Sequence, residues 1–312
     1  MNPYIILTDV TCDLSGEVRE YFGITDYVHG YVSISDGRDL QTRLDWDLIS
    51  REDFYGCLGN RQMKVSTAPA SPEEYYEIFK KYAAAGVDVL SVSISSKISS
   101  TFGVASGAAE RVRAEYPERR FYCVDALRMS GSMGLLVCYA HEMQKNGASM
   151  QEVIDWLEGN RMRVHQMGPI DDLIVIARRG RISMGKAIMG SFAGVKPMGD
   201  CNRDGYVSVL TKAKGMKKAL NATVDYVKEV ATNVEDQYLI IVHSNREAYA
   251  ETLREKLETS LHPKKIFVCD SFSASGTNIG PGMVAVYFMG EEVTEDLSRE
   301  KEIMNRVMES IR

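Results

Sequence analysis

The sequence predicts an α/β protein with a largely parallel sheet, and three observations predict it. Short β-branched runs alternate with helical stretches, two of those stretches carry the same start signal, and no apolar run reaches the ~20 residues of a membrane span. In chain order, Ile5 to Asp9 reads as the first strand. Ser71 with Glu74 matches a capping box, and Pro72 sits at the first helical position, where a missing N–H costs nothing. Val87 to Ser95 is the next strand and leads through Ser99 and Ser100 into a helical run from Thr101 to Ala114. Arg120 to Asp125 is a third strand. Ser149 with Glu152 repeats the capping box and opens a helix from Met150 to about Arg163, which ends in the loop His165 to Pro169. Leu173 to Ile176, Tyr238 to His243, Ile266 to Asp270 and Met283 to Phe288 supply the later strands. The His165 loop suggests two domains, 1–165 and 166–312, and no internal repeat or low-complexity tract interrupts either. In such sheets the ligand crevice lies beyond the carboxyl ends of the strands.

A chain of 312 residues with 45% hydrophobic and 26% charged residues can bury a full core. Its 37 Lys and Arg against 43 Asp and Glu give a formal net charge of -6, which argues against a protein built to neutralise a nucleic-acid backbone. The opening MNPYIILTDV lacks the basic and long apolar regions of a signal peptide, so export is not expected. The uncharged run Ser271 to Gly290 is broken by Gly276, Gly280, Pro281 and Gly282 and predicts no membrane span. Six cysteines without a CxxC pair fit reduced thiols in the cytoplasm and predict no metal site.

Gly180 to Ala187 nearly matches the GxxxxGK[ST] phosphate loop, but Ala187 stands where a hydroxyl should hold Mg²⁺, so a structural turn is the better reading. There is no GxSxG elbow, and a hydrolase would need a looser set such as Ser99 with His243 and an aspartate. His243 closes an apolar strand, where a hydrogen-bonded structural role is commoner. Thr67, in the loop before the Ser71 helix, and Ser99 and Ser100, at the next helix start, are candidates for an anion site, with plain N-capping as the alternative. Gly276 to Gly282 reads as a stiff, donor-rich loop. From Arg178 to Lys218 ten basic residues face two aspartates, a local balance of +8 that suits either docking of an acidic partner or a solvated face.

Taken together and in order, these segments resemble the DegV family of bacterial fatty acid-binding proteins. Thr8-Asp9 with Thr11-Cys12-Asp13-Leu14 is similar to the family's TDSTxDL opening, Thr67 to Tyr75 to TSQPSPEEF, and Ser95 to Phe102 to SSxLSGTY. Val124-Asp125 with Met133-Gly134, then Arg178 to Ser183, Val195 to Pro197 and Gly280 to Gly282 fall where VDS…MGLG, RGGRIS, IKP and GPG stand. The resemblance implies a two-domain DegV-like α/β fold with one long-chain fatty acid in a tunnel between the domains. It also implies a carrier without catalysis or cofactor of its own, the lipid-binding subunit of a fatty acid kinase whose separate ATP-binding subunit phosphorylates the carboxyl group. Thr67, Ser99, Ser100 and Asn278 would then face the carboxylate, and Arg181, Lys196 and Lys214 the partner or phosphate side. An acyl-ester hydrolase or a regulatory lipid-binding module are the rival readings. Four positions depart from the family pattern: Asn278 for a His, Ser100 and Arg179 for Gly, and Lys214 for an Arg.

Overall fold

The computed structural model describes residues 2–182 and 194–311. Lys186 and Ala187, on which the phosphate-loop reading turned, lie outside the described residues. In chain order the strands are β1 (Tyr4–Asp9), β2 (Tyr27–Val28), β3 (Gly30–Ile34), β4 (Arg38–Gln41), β5 (Val65–Pro69), β6 (Asp88–Ser93), β7 (Phe121–Asp125), β8 (Val164–Met167), β9 (Val195–Cys201), β10 (Val207–Lys214), β11 (Tyr238–His243), β12 (Lys265–Asp270) and β13 (Val284–Met289).

Four of them, in the order β2-β1-β6-β7, form a parallel sheet. All six residues of β6 are buried, as expected of a strand covered on both faces. The helices Pro72–Ala84 and Thr101–Glu115 cover one face, packing Phe79, Ala105 and Val112 against Leu7, Val89 and Phe121. The helix Gly131–Lys145 covers the other. Both capping boxes form: Ser71 Oγ accepts from Glu74 N and Ser149 Oγ from Glu152 N, with each glutamate reaching back to the serine N–H.

A second four-stranded sheet, β12-β11-β13-β8, is parallel only between β11 and β12; β13 and β8 run antiparallel to their neighbours. The Gly131–Lys145 helix lies between the two sheets. Its Leu135, Leu136 and Cys138 share one apolar cluster with Ile6 and Val92 of the first sheet and Ile240 and Ala285 of the second. Two smaller antiparallel units, β4-β3-β5 and β10-β9, complete the molecule.

Four local readings of the sequence are corrected. The expected loop from His165 is strand up to Met167, since β8 pairs with β13 there. Leu173 to Ile176 is not a strand: Ile174–Arg178 is a short helix, started by Asp172, whose Oδ1 accepts from Ile174 N at 2.8 Å. Consequently the Gly180 segment follows a helix and not a strand. Thr67 lies within β5, paired with Val32 of β3, where a loop was expected. The expected loop from Gly276 begins as the last turn of a helix, Ser273–Ile279, and only Gly280 to Gly282 makes the turn into β13.

Candidate ligand-binding site

Between the two halves lies a cavity of about 380 Å³, within the range of small-molecule sites. The carboxyl end of β1 contributes Asp9 and Thr11, and the loop after β6 contributes Ile98, Ser99 and Ser100. The far wall comes from β8, β9, β13 and the Ser273–Ile279 helix. Most of the lining is apolar, with Ile170, Leu173, Ile176 and Met283 prominent. The crevice therefore falls at strand ends, where an open parallel sheet leaves room for a ligand.

Thr67, Ser99, Ser100 and Asn278 all line this cavity, although they come from three separate segments. Asn278 Nδ2 donates to Thr67 Oγ1 at 3.2 Å and to Ala274 O at 3.0 Å, so the helix fixes the amide and the amide fixes the threonine. The Thr67 hydroxyl hydrogen remains to be given elsewhere. Ser99 Oγ lies 2.8 Å from Thr101 Oγ1 and accepts from Thr101 N at 3.3 Å, so it caps the start of the Thr101–Glu115 helix while facing the cavity. Ser100 is exposed and makes no side-chain cap.

Arg181 also lines the cavity. Its guanidinium donates to the Arg179 carbonyl, and Arg179 itself is held below the ordinary arginine range, first by burial and then by the Arg181 charge. The other two basic candidates lie elsewhere. Lys196 Nζ pairs with Asp171 Oδ1 at 2.6 Å, and Lys214 is exposed at the end of β10. Ser99 and His243 do not meet in one site. His243, which is not a lining residue, lies 3.6 Å from Asp270 and accepts from Arg246 N at 3.4 Å.

Several further polar lining groups were not among the site residues read from the sequence. Asp9 is buried, and its carboxyl is pushed up by that burial against bonds from Thr11 and Ile94 that pull it down. His29 Nδ1 donates to the Thr42 carbonyl at 2.8 Å, because a carbonyl only accepts. Gln166, Ser130 and Tyr287 line it too and are buried. Behind Ser130 lies Asp13, fully buried and pushed up to about 7 by burial, with bonds from Ser130 Oγ (2.6 Å) and Phe272 N (3.1 Å) opposing that push. Among the described residues no group of three or more His, Cys, Asp and Glu could hold a metal ion, all six cysteines are free, and no helix is long and apolar enough to cross a membrane.

The family described as uncharacterised protein, DegV family, matches residues 4–291. A DegV domain-containing protein of Clostridium perfringens is 30% identical over 291 residues, covering 93% of this chain and 99% of its own. Among solved structures, a DegV family protein from Thermus thermophilus, described by its fatty acid binding, superposes with a TM-score of 0.81 at 26% identity, covering 93% of this chain and 100% of that one. The fatty acid kinase B3 protein of Streptococcus pneumoniae, loaded with linoleic acid, shares the fold with a TM-score of 0.78 at 18% identity over 93% of this chain and 100% of its own. A family match over nearly the whole length, on the two-sheet frame and strand-end cavity described above, makes this chain a member of the DegV family.

Proposed function

We propose that the protein binds one long-chain fatty acid in the cavity and presents its carboxylate to a separate ATP-binding kinase subunit, without catalysis of its own. The observation that carries the reading is that Thr67, Ser99, Ser100, Asn278 and Arg181 line one cavity whose wall is mostly apolar. Hydroxyls and an amide donate to a carboxylate, and a guanidinium offsets its charge. The apolar remainder rewards a long chain, since burial stabilises by ~0.8 kcal/mol per methylene. The fatty acid binding of the Thermus relative and the kinase assignment of the Streptococcus protein support the two halves of the proposal. In this reading the division of labour follows residues 1–165, which supply Thr67, Ser99 and Ser100, and 166–312, which supply Asn278 and Arg181.

Denaturing extraction of protein purified from a bacterial host is expected to release about one fatty acid per chain. Thr67→Val and Ser99→Ala are each expected to weaken binding about tenfold or more, because a hydrogen bond to a charged group contributes ~1.5–3 kcal/mol. Ser99→Ala also removes a helix cap, so its melting temperature is read alongside. Normal fatty acid affinity with lowered stability would assign Ser99 to capping alone. Absence of lipid, together with failure to bind added palmitate or oleate, would end the carrier reading.

A further inference from the structure

One hydroxyl on the cavity wall has its hydrogen unspent. Tyr75, in the first turn of the Pro72–Ala84 helix, lines the cavity and is 1% exposed. Its ring packs in the apolar cluster of Leu7, Val28, Phe79 and Ala105. A buried tyrosine hydroxyl usually finds a partner. This one has none among the described residues, and it is not one of the polar atoms sealed from all open surface. The little surface that Tyr75 keeps therefore lies at the oxygen and faces the cavity. Phenylalanine would fill the same cluster, so packing alone does not call for the hydroxyl.

The neighbouring carboxyl makes no claim on it. The Asp9 charge reaches Tyr75, but Asp9 Oδ1 accepts from Thr11 N and Oδ2 from Ile94 N, each at 2.9 Å. Burial first, and then the Asp9 charge, pushes the phenol well up, so the hydroxyl keeps a hydrogen to give.

The hydroxyl also stands at the head-group end. Helices connected to a parallel sheet run back along it, so Pro72–Ala84 and Thr101–Glu115 both start at the edge where β1 and β6 end. Tyr75 shares its cluster with Ala105, one turn into the second of these helices, and Ser99 and Ser100 stand immediately before that helix. Thr67 lies on β5, which leads into the first. A carboxylate offers about four lone-pair sites to donors. Of the neutral groups around it, Asn278 has committed both amide hydrogens, to Thr67 and Ala274, and Ser99 is tied to Thr101. A phenol on a packed ring is a free donor already held in place.

We propose that Tyr75 is a further head-group residue, whose phenol donates to an oxygen of the bound fatty acid carboxylate and makes the site prefer the ionised acid to a neutral chain of the same length. The preference follows because a hydrogen bond to an ionised acceptor is roughly twice as strong as one to a neutral acceptor. This deepens the carrier reading above and rests on it.

Calorimetry on delipidated full-length protein, native and Tyr75→Phe, with palmitate and with hexadecanol tests the assignment, and both free proteins are melted alongside. The free variant is expected to melt no lower than the native protein. Its palmitate affinity is expected to fall about tenfold and its hexadecanol affinity much less, so that the preference for the acid narrows. The ¹³C resonance of carboxyl-labelled palmitate is expected to differ between the two complexes. Palmitate affinity unchanged in Tyr75→Phe would overturn the assignment and leave the carrier reading intact, as would equal losses for acid and alcohol. Should the variant melt lower, the carboxyl resonance decides, and one unmoved from its native position overturns the assignment. Failure of the native protein to bind palmitate would overturn the carrier reading itself, and Tyr75 with it.

Discussion

Asp13 shows how one residue can set the pH response of the molecule. Its carboxyl is fully buried behind the cavity, pushed up to about 7 by desolvation despite the bonds from Ser130 and Phe272. An unfolded aspartate titrates near ~3.9, so between about pH 4 and 7 the native state holds a proton that the unfolded state has lost. Stability from this residue is therefore complete below pH ~4 and is lost as pH rises through 7, by ~4 kcal/mol at most. Asp13→Asn removes the titration. Melting curves of both proteins from pH 5 to 9 are expected to show the variant gaining on the native chain up to pH ~8, and parallel curves would show that Asp13 ionises normally. Arg128, also fully buried, is satisfied differently: its guanidinium donates to the carbonyls of Val164, Leu127 and Asn202, tying three segments around the cavity with neutral acceptors.

The Pro72–Ala84 helix illustrates how a local signal acquires a tertiary task. Glu74 closes the capping box on Ser71 and also accepts from the Tyr31 phenol of β3, so the helix start is fastened to the small β4-β3-β5 sheet. Ser71→Ala is expected to cost ~1 kcal/mol, and Glu74→Ala about twice that, because it loses the box and the bond to the sheet. Urea midpoints of Glu74→Ala, Tyr31→Phe and their double variant measure the coupling; purely additive losses would show that Tyr31 contributes nothing. The box itself was legible in sequence because its chemistry is confined to four consecutive residues. The β-branched run Leu173 to Ile176 misleads because four apolar residues do not distinguish strand from helix, and the deciding contact is the Asp172 bond to Ile174. The strands β3, β4, β9 and β10 were not anticipated, yet Asp36-Gly37 and Asp204-Gly205 stand at their turns, a hairpin signal present in the sequence. For the cavity, Thr67, Ser99 and Asn278 were accessible through short motifs. Gln166 and Tyr287 were not: Gln166 was read as part of the loop from His165 but lies in β8, and Tyr287 sits inside the apolar strand β13, where a single tyrosine carries no motif.

At the scale of the whole molecule, the two sheets share one core through the Gly131–Lys145 helix, and ties such as Arg51–Asp270 at 3.2 Å and Tyr55 Oη to Ser271 O at 2.7 Å fasten the halves around the cavity. The surface is less even. The basic stretch from Arg178 to Lys218 sits in a protein of net charge -6, and part of it is placed against local preference. Lys217 and Lys218 occupy the first turn of the Met216–Val230 helix, which has no acidic residue there, although positive charge at a helix N-terminus opposes its dipole. Lys214, three residues before Lys217, is exposed, as is Lys217. Charge held where it costs stability is consistent with a docking face for an acidic partner. Neither lysine lines the cavity, so docking and lipid binding can be separated. In a reconstituted system with an ATP-binding kinase subunit, Lys214→Glu with Lys217→Glu is expected to lower acyl phosphate formation at least tenfold while fatty acid affinity of the isolated protein holds. Salt is expected to act in the same direction, since the Debye length falls from ~8 Å at physiological ionic strength to ~3 Å at 1 M, which screens an exposed dock far more than a partly buried carboxylate contact. Turnover unmoved by both charge reversal and salt would leave these lysines as solvated surface and detach the partner proposal from the charge pattern.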